Sequence, residues 1–135
     1  MTGGIYNELQ DFRGYRKVML AALKYTDRIG LSYTCDMSAF KESKWWEMFA
    51  GSFIRHEYDE RGNLTVYFKV DHVTVEWLRS KRSIFDFWDR GDDDDLLWDL
   101  CLYREDREIL SSITHEMMLE ISEELREFVK TGSIT

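Results

Sequence analysis

Hydrophobic residues in the first third of the chain recur at helical intervals. Apolar side chains occur every three or four positions over residues 12–23, and this spacing predicts an amphipathic helix over about residues 13–27. A second helix is predicted over residues 39–50, because Asp36 or Ser38 can cap its N-terminus and its aromatic side chains would bury a large area. Each helix therefore offers one apolar face for packing.

In other stretches apolar and polar residues alternate, or a continuous apolar run ends at a turn, and both patterns predict strands. Two of these stretches contain a central turn and are predicted to be β-hairpins, with turns at residues 59–63 and 104–107. The predicted strand regions are residues 29–35, 53–70, 97–113 and 117–121.

Residues 72–80 fit two periods at once. Val73, Val75 and Trp77 alternate as in a strand, whereas Val73, Trp77 and Leu78 would share one face of a helix. A continued strand is the preferred interpretation.

The last element is predicted to be a helix that begins after Ser122 and ends near Gly132. Ser122 is a suitable N-cap, and two glutamates follow it in the first turn, where the helix dipole favours negative charge. The chain is therefore predicted to be one α+β domain over residues 1–135. Its antiparallel sheet would have about five or six strands, with an N-terminal helix, a second helix and a C-terminal helix packed on it.

Acidic residues are concentrated in the second half of the chain. Residues 1–58 hold eight basic and seven acidic side chains, whereas residues 59–135 hold ten basic and nineteen acidic ones. Such asymmetry favours basic partners and argues against nucleic-acid binding. The longest wholly apolar run, Val18–Leu23, is far shorter than the ~20 residues that a membrane span needs. With no signal-peptide pattern at the start, the sequence predicts a cytoplasmic protein.

The two cysteines do not form a recognisable metal or redox motif. Cys35 and Cys101 both fall in predicted strands and lack CxxC spacing, so they are expected to be reduced and buried. No glycine-rich phosphate loop or nucleophile elbow occurs in the sequence, and no cofactor is predicted. The chain is therefore not expected to be an enzyme, although the histidines leave one catalytic alternative open.

A run of four aspartates, with a tryptophan on either side, is the strongest candidate for a partner-binding surface. The run lacks the alternating ligands, central glycine and closing glutamate of a calcium loop. It is either a solvated loop or a surface that steers a basic protein, and an adjacent tryptophan is a typical interface anchor. The predicted partner-binding residues are Asp92, Asp93, Asp94, Asp95, Asp99 and Trp88.

Two His–Glu pairs provide the catalytic alternative. His115 with Glu116, and His56 with Glu57, each end a predicted strand. If the sheet brought the pairs together, they could hold a metal ion for a small hydrolase. The ordinary interpretation is that each histidine holds a turn by hydrogen bonding, so no metal ligand is predicted.

The segment Asp99–Glu116, DLCLYREDREILSSITHE, resembles a late hairpin seen in small uncharacterised acidic bacterial proteins, some of them immunity-protein-like. The resemblance covers eighteen residues and implies a bacterial cytosolic protein that binds and neutralises a partner. The leading functional hypothesis is therefore an acidic binding module, in its most specific form an immunity-type inhibitor of a basic toxin or nuclease.

A structural or oligomerisation domain is the remaining alternative. In that case the aromatic helix around Trp45 and Trp46 would pack against a second copy of the chain, and a homodimer is left open.

Overall fold

The computed structural model describes residues 9–10, 12–81, 83–84, 97–113 and 118–131. Five α-helices, one 3₁₀ turn and six strands lie within these residues. The helices are α1 (Phe12–Tyr25), α2 (Met37–Lys41), α3 (Lys44–Phe49), α4 (His72–Arg79) and α5 (Glu123–Thr131), with the 3₁₀ turn at Ala50–Ser52. The strands are β1 (Arg28–Tyr33), β2 (Phe53–Tyr58), β3 (Leu64–Lys69), β4 (Leu97–Arg104), β5 (Arg107–Ile113) and β6 (Met118–Ile121).

The six strands form one antiparallel sheet in the order β2-β3-β1-β4-β5-β6. Strand β1 lies in the middle, between the two hairpins β2–β3 and β4–β5. Alternate residues of the inner strands, among them Leu31, Phe68 and Leu102, join one hydrophobic cluster with helix residues such as Met19 and Phe49. The helices therefore pack on one face of the sheet, and the predicted α+β fold is confirmed.

The β4–β5 hairpin closes through two residues in the left-handed region, Glu105 (φ 52°) and Asp106 (φ 69°). Paired positive φ values suit the right-handed twist of a two-residue hairpin, but they are uncommon for residues other than glycine. The turn is tied to the start of β1. The Asp106 carboxylate pairs with Arg28 at 3.0 Å, and the Glu105 amide donates to the Asp27 carboxylate at 2.7 Å.

The strand prediction for residues 72–80 was wrong, because this segment is helix α4. Asp71 caps the helix by accepting from the Thr74 amide, and the Thr74 hydroxyl accepts from the Asp71 amide. Thr74 and Leu78 form the buried face, whereas Val73 is exposed. The capping box and the four-residue spacing of the buried side chains therefore outweighed the alternation.

The single helix predicted over residues 39–50 is divided into α2 and α3. Asp36 is one of the two residues that were predicted to cap the helix. It caps α2, because its carboxylate accepts a hydrogen bond from the Ala39 amide at 2.9 Å. Ser43 interrupts the helix, because its hydroxyl donates to the Phe40 carbonyl and accepts from the Trp45 amide. Serine competes in this way for backbone groups that would otherwise continue the helix.

Cys35 was predicted to be buried in a strand, and this prediction was wrong. Strand β1 ends at Tyr33, so Cys35 lies beyond it in an exposed bend. Both cysteines are free thiols. The predicted N-cap of the last helix is confirmed, since the Ser122 hydroxyl accepts from the Leu125 amide at 3.2 Å. Every helix in the described ranges is too short or too polar to cross a membrane.

Candidate interaction surface

The face of the sheet opposite the helices is called here the open face. Its residues alternate along each strand with those of the hydrophobic cluster, because successive strand side chains point to opposite sides. Strand register aligns a continuous row across all six strands, and side chains paired in this way share a face. The row consists of Arg55, Tyr67, Gly30, Cys101, Ser111 and Glu120.

Charge on the open face is divided between the two halves of the sheet. Strands β2, β3 and β1 place three basic side chains and one acidic side chain on it, namely Arg55, Lys69, Arg28 and Glu57. Strands β4, β5 and β6 place three acidic side chains there, namely Asp99, Glu108 and Glu120. In the described part of these three strands, the open face carries no lysine or arginine. We call it the acidic half.

A cluster of tyrosine and arginine side chains occupies the middle of the open face. The guanidinium of Arg28 lies over the rings of Tyr67 and Tyr103, 5.0 and 4.4 Å from their centroids, and the two rings are 5.7 Å apart. Arg55 lies over the other side of the cluster, 4.4 Å from the Tyr67 centroid. Stacked guanidinium and aromatic groups attract each other and fix one another's position. The cluster therefore holds these side chains in fixed positions at the centre of the open face.

Carboxylates neutralise the arginines of this cluster. Arg55 pairs with Glu57 at 2.9 Å, and the Tyr67 hydroxyl donates to the same carboxylate at 3.2 Å. The hydrogen bonds from Arg55 and then Tyr67 hold the pKa of Glu57 below its ordinary value. Glu57 is therefore an ionised partner in a network and not a general base with a raised pKa.

Two potential nucleophiles at the border of the halves are held in their neutral forms. Burial, with Glu108 nearby, raises the pKa of Cys101 to about 12, and its thiol lies 3.7 Å from a Glu108 carboxylate oxygen. Burial also raises the pKa of Tyr103 above that of free tyrosine. Because the reactive form of a cysteine is its thiolate, Cys101 is not an activated nucleophile.

An exposed apolar pair lies at one end of the acidic half. Ile113, the last residue of β5, faces Met118, the first residue of β6, and their side chains are 37% and 50% exposed. Asp99 lies on the same face two residues after β4 begins at Leu97. Exposed apolar residues bordered by charge are a common feature of interaction sites.

Of the six predicted partner-binding residues, the structure describes only Asp99, which is half-buried in β4. Trp88 and the run Asp92–Asp95 lie outside the described residues. In the sequence, the run ends two positions before Leu97. Asp99 is one of the three acidic side chains of the acidic half, and its role in partner binding stays a prediction.

The two His–Glu pairs are not brought together within the described residues. His115 and Glu116 lie outside them, and His56 and Glu57 are successive residues of β2, whose side chains point to opposite faces. His56 packs against the Tyr58 ring at 5.7 Å between centroids, whereas Glu57 is bonded to Arg55 and Tyr67. In the described part of the chain, no three potential ligands are grouped as a metal site.

The aromatic helix around Trp45 and Trp46 packs against other parts of its own chain. Trp45 is buried and contacts Phe49 and Trp77, and Trp46 lies between Phe40 and Phe53 at ring distances of 6.0 and 5.4 Å. Trp45 belongs to the hydrophobic cluster, and Trp46 is partly buried and packs against it.

Sequence reasoning did not identify the tyrosine–arginine cluster. Its members come from different strands: Arg28 from β1, Arg55 from β2, Tyr67 from β3 and Tyr103 from β4. The available signal was that each alternates with apolar residues of its own strand. Their contact depended on the strand order.

Comparison of the chain with protein-family models, with curated proteins and with solved structures finds no match.

Proposed function

We propose that this protein is a binding module that recognises a basic protein through the acidic half of its open face. In its most specific form the proposal is an immunity-type inhibitor of a basic toxin or nuclease. The separation of charge across the open face is the observation that carries it. Clustered carboxylates attract cationic surfaces over distance and accelerate encounter.

The strand order supports this proposal by keeping the acidic segments of the chain together. Residues 85–135 contain fifteen of the 26 acidic side chains and five of the 18 basic ones. All of β4, β5, β6 and α5 come from this part of the chain, and the three strands are adjacent in the sheet. A cationic partner that approaches this side would meet carboxylates first.

The basic residues next to the acidic half are already engaged within the chain. Arg107 is held by Glu124 at 2.7 Å and by Glu105 at 3.4 Å, and Arg104 donates to the Tyr25 carbonyl. These arginines reduce the local negative charge only in part. The acidic half therefore keeps a negative potential.

Two kinds of contact are assigned to the interface in this proposal. Asp99 and Glu120, with the run Asp92–Asp95, would steer and orient the partner. Ile113 and Met118 would lose water on binding and act as apolar anchors, as Trp88 is also expected to do. Charge would then govern the association rate, and the apolar pair would govern the dissociation rate.

The first experiment is an affinity capture from native lysate at low and high salt, followed by kinetics with the purified captured protein. Wild type is compared with a variant in which Asp92–Asp95 are all replaced by Asn. A control variant replaces four exposed glutamates elsewhere by Gln and has the same net charge. The control positions are Glu42, Glu47, Glu60 and Glu76.

The proposal predicts that the Asp92–Asp95 variant associates at least about tenfold more slowly at low salt and loses most of its salt dependence. The control variant should retain most of the wild-type rate. Replacement of Ile113 and Met118 by Thr should mainly increase the dissociation rate. Equal rates for wild type and the Asp92–Asp95 variant at low salt would refute the proposal, as would the absence of any basic protein in the capture.

A further inference from the structure

We propose that two copies of this chain associate through strand β2, edge to edge, with His56 on the two-fold axis. This inference is independent of the proposed function, because it concerns the opposite edge of the sheet. Among the described strands, β2 is terminal and pairs only with β3. Its outer edge can therefore accept another strand, as in recognition by β-strand addition.

The geometry of the sheet limits how two β2 strands can pair. Strands related by a two-fold axis perpendicular to the sheet are antiparallel and keep both helix layers on the same side. In an antiparallel pair, residues directly opposite each other have their side chains on the same side of the sheet. In a symmetric dimer this requires that one residue of β2 lies on the axis, directly opposite its own copy. Within the centre of β2 this leaves three registers, with Arg55, His56 or Glu57 on the axis.

Charge selects one of these three registers. An axis at Arg55 or at Glu57 would place two like charges directly opposite each other, which is destabilising in a cross-strand pair. An axis at His56 places Arg55 opposite the partner's Glu57, and Glu57 opposite the partner's Arg55. Two opposite-charge pairs then form on the open face. The sequence Arg55-His56-Glu57 is therefore self-complementary in this register alone.

The same register brings together the exposed apolar residues of the strand. Ile54 and Tyr58 are 43% and 46% exposed, and each stands two positions from the axis. The register of β2 against β3 shifts between Phe53 and Arg55, so Ile54 lies at a β-bulge. In the dimer Ile54 would lie near the partner's Tyr58 without forming a regular cross-strand pair with it. The Tyr58 hydroxyl is already bonded to the Met37 amide at 2.8 Å, so its ring is held in place before association. Burial of these two side chains would add an apolar contribution to the charge pairs.

Long-range charge also favours this edge over the opposite one. Strand β2 is separated from the acidic half by β3 and β1, and the open face around it carries Arg55, Lys69 and Arg28 with Glu57. Two copies that met through β6 would bring their acidic halves together. Association through β2 keeps those halves at the outer ends of a twelve-stranded sheet, where both remain accessible.

The contact consists of one pair of six-residue strands, so it lies at the small end of specific interfaces. We expect a dissociation constant on the order of 100 μM. Sedimentation equilibrium from about 1 μM to about 500 μM covers the range in which such an interface associates. Cys35 is exposed and could link two copies by a disulfide. All proteins in these measurements therefore carry Cys35→Ser, so that any dimer mass observed comes from non-covalent association.

Charge reversal provides the main test. Arg55→Glu should raise the dissociation constant at least about tenfold, because the dimer contains the resulting like-charge contact twice. Glu57→Arg should do the same. The double variant Arg55→Glu/Glu57→Arg restores both opposite-charge pairs and should return the dissociation constant to within about threefold of wild type. Lys130→Glu and Glu127→Arg make the same charge changes on exposed positions of α5 and should have little effect.

Cross-linking tests the register separately. With His56→Cys, the axis residue faces its copy at a distance within reach of a disulfide, and oxidation should link two copies. With Tyr58→Cys, the two thiols are four residues out of register, about 14 Å apart, and should not link. A monomer at every concentration, equal dissociation constants for wild type and the single variants, failure of the double variant to recover, or preferential linking through position 58 would overturn the proposal.

Discussion

Gly30 lies at the centre of the sheet, where the structure leaves little room for a side chain. A Cβ atom at this position would lie 3.1 Å from Tyr103 Cε2 and 3.3 Å from Tyr67 Cε1, closer than the ordinary contact distance of 3.4–4 Å. Each ring would have to retreat by a few tenths of an ångström. Because Arg28 is stacked over both rings, neither can move alone without loosening the cluster.

The expected effect of Gly30→Ala is a net destabilisation of about 1 kcal/mol. Overpacking a well-filled site costs about 1–3 kcal/mol. Replacement of glycine by alanine lowers the conformational entropy of the unfolded chain, and this stabilises the folded protein by about 0.5–1 kcal/mol. For a chain of this size the difference corresponds to a fall in Tm of about 4 °C.

Urea unfolding followed by tryptophan fluorescence measures the change directly. Gly51→Ala is the matched control, since no atom lies within 4 Å of a Cβ atom built there, and its effect should stay within about 0.5 kcal/mol. In a Tyr103→Val background the closest contact is removed, so the cost of Gly30→Ala should become smaller. The reasoning is refuted if Gly30→Ala is as stable as wild type, or if its cost is the same in both backgrounds.

Two further predictions concern titratable groups. Hydrogen bonds from Arg107 and then Tyr25 lower the pKa of Glu124 to about 2, so this carboxylate stabilises the fold above its unfolded pKa of about 4.5 and loses that contribution as the pH falls towards 2. The free energy of unfolding, measured between about pH 5 and pH 2, should therefore fall less steeply in Glu124→Gln than in wild type, and parallel curves would contradict this. Cys35 is exposed, whereas burial raises the pKa of Cys101 to about 12. Iodoacetamide at neutral pH should therefore modify Cys35 alone in the native protein, and mass spectrometry that found Cys101 modified at a similar rate would contradict this.

Elements whose signals are local were predictable from the sequence. The hairpin over residues 53–70 has both its strands and its turn in one continuous stretch, and the structure places β2 and β3 within it. The helix predicted over about residues 13–27 occurs as α1, because a helical apolar face can be recognised without knowledge of its partner. The prediction of Ser122 as the N-cap of the last helix was correct for the same reason, since a cap acts on amides only two or three residues away.

Errors arose where two local signals competed. In residues 72–80 the alternation of Val73, Val75 and Trp77 suggested a strand, but Asp71 and Thr74 form a capping box that begins a helix. A sequence scan that gave the cap priority over three alternating positions would have chosen the helix. Cys35 was misplaced because β1 ends at Tyr33, and no strong turn residue marks that end.

The open face could not be derived from the sequence, because it depends on which strands are neighbours. Arg28 and Tyr103 are 75 positions apart in the chain, yet they pair directly across β1 and β4. An alternation of apolar and polar residues shows which side of a strand is polar, but not what lies beside it. The tyrosine–arginine cluster therefore appears only once β1 is inserted between the hairpins.

The central position of β1 in the sheet also determines where the charge asymmetry of the sequence lies in the folded structure. Strand β1 separates β2 and β3 from β4, β5 and β6, so the strands from residues 1–84 and those from residues 85–135 occupy different halves of one sheet. If β1 lay at an edge instead, the basic strand β3 would adjoin β4, and Lys69 would lie beside the carboxylates of the acidic half. In the observed strand order, the unequal distribution of charge along the sequence becomes an unequal distribution across the sheet. In the two proposals, the acidic edge would repel a second copy and attract a basic protein, whereas the β2 edge, with Arg55 and Glu57, would pair with its own copy. The two proposed contacts therefore use opposite edges, and one chain can make both at the same time.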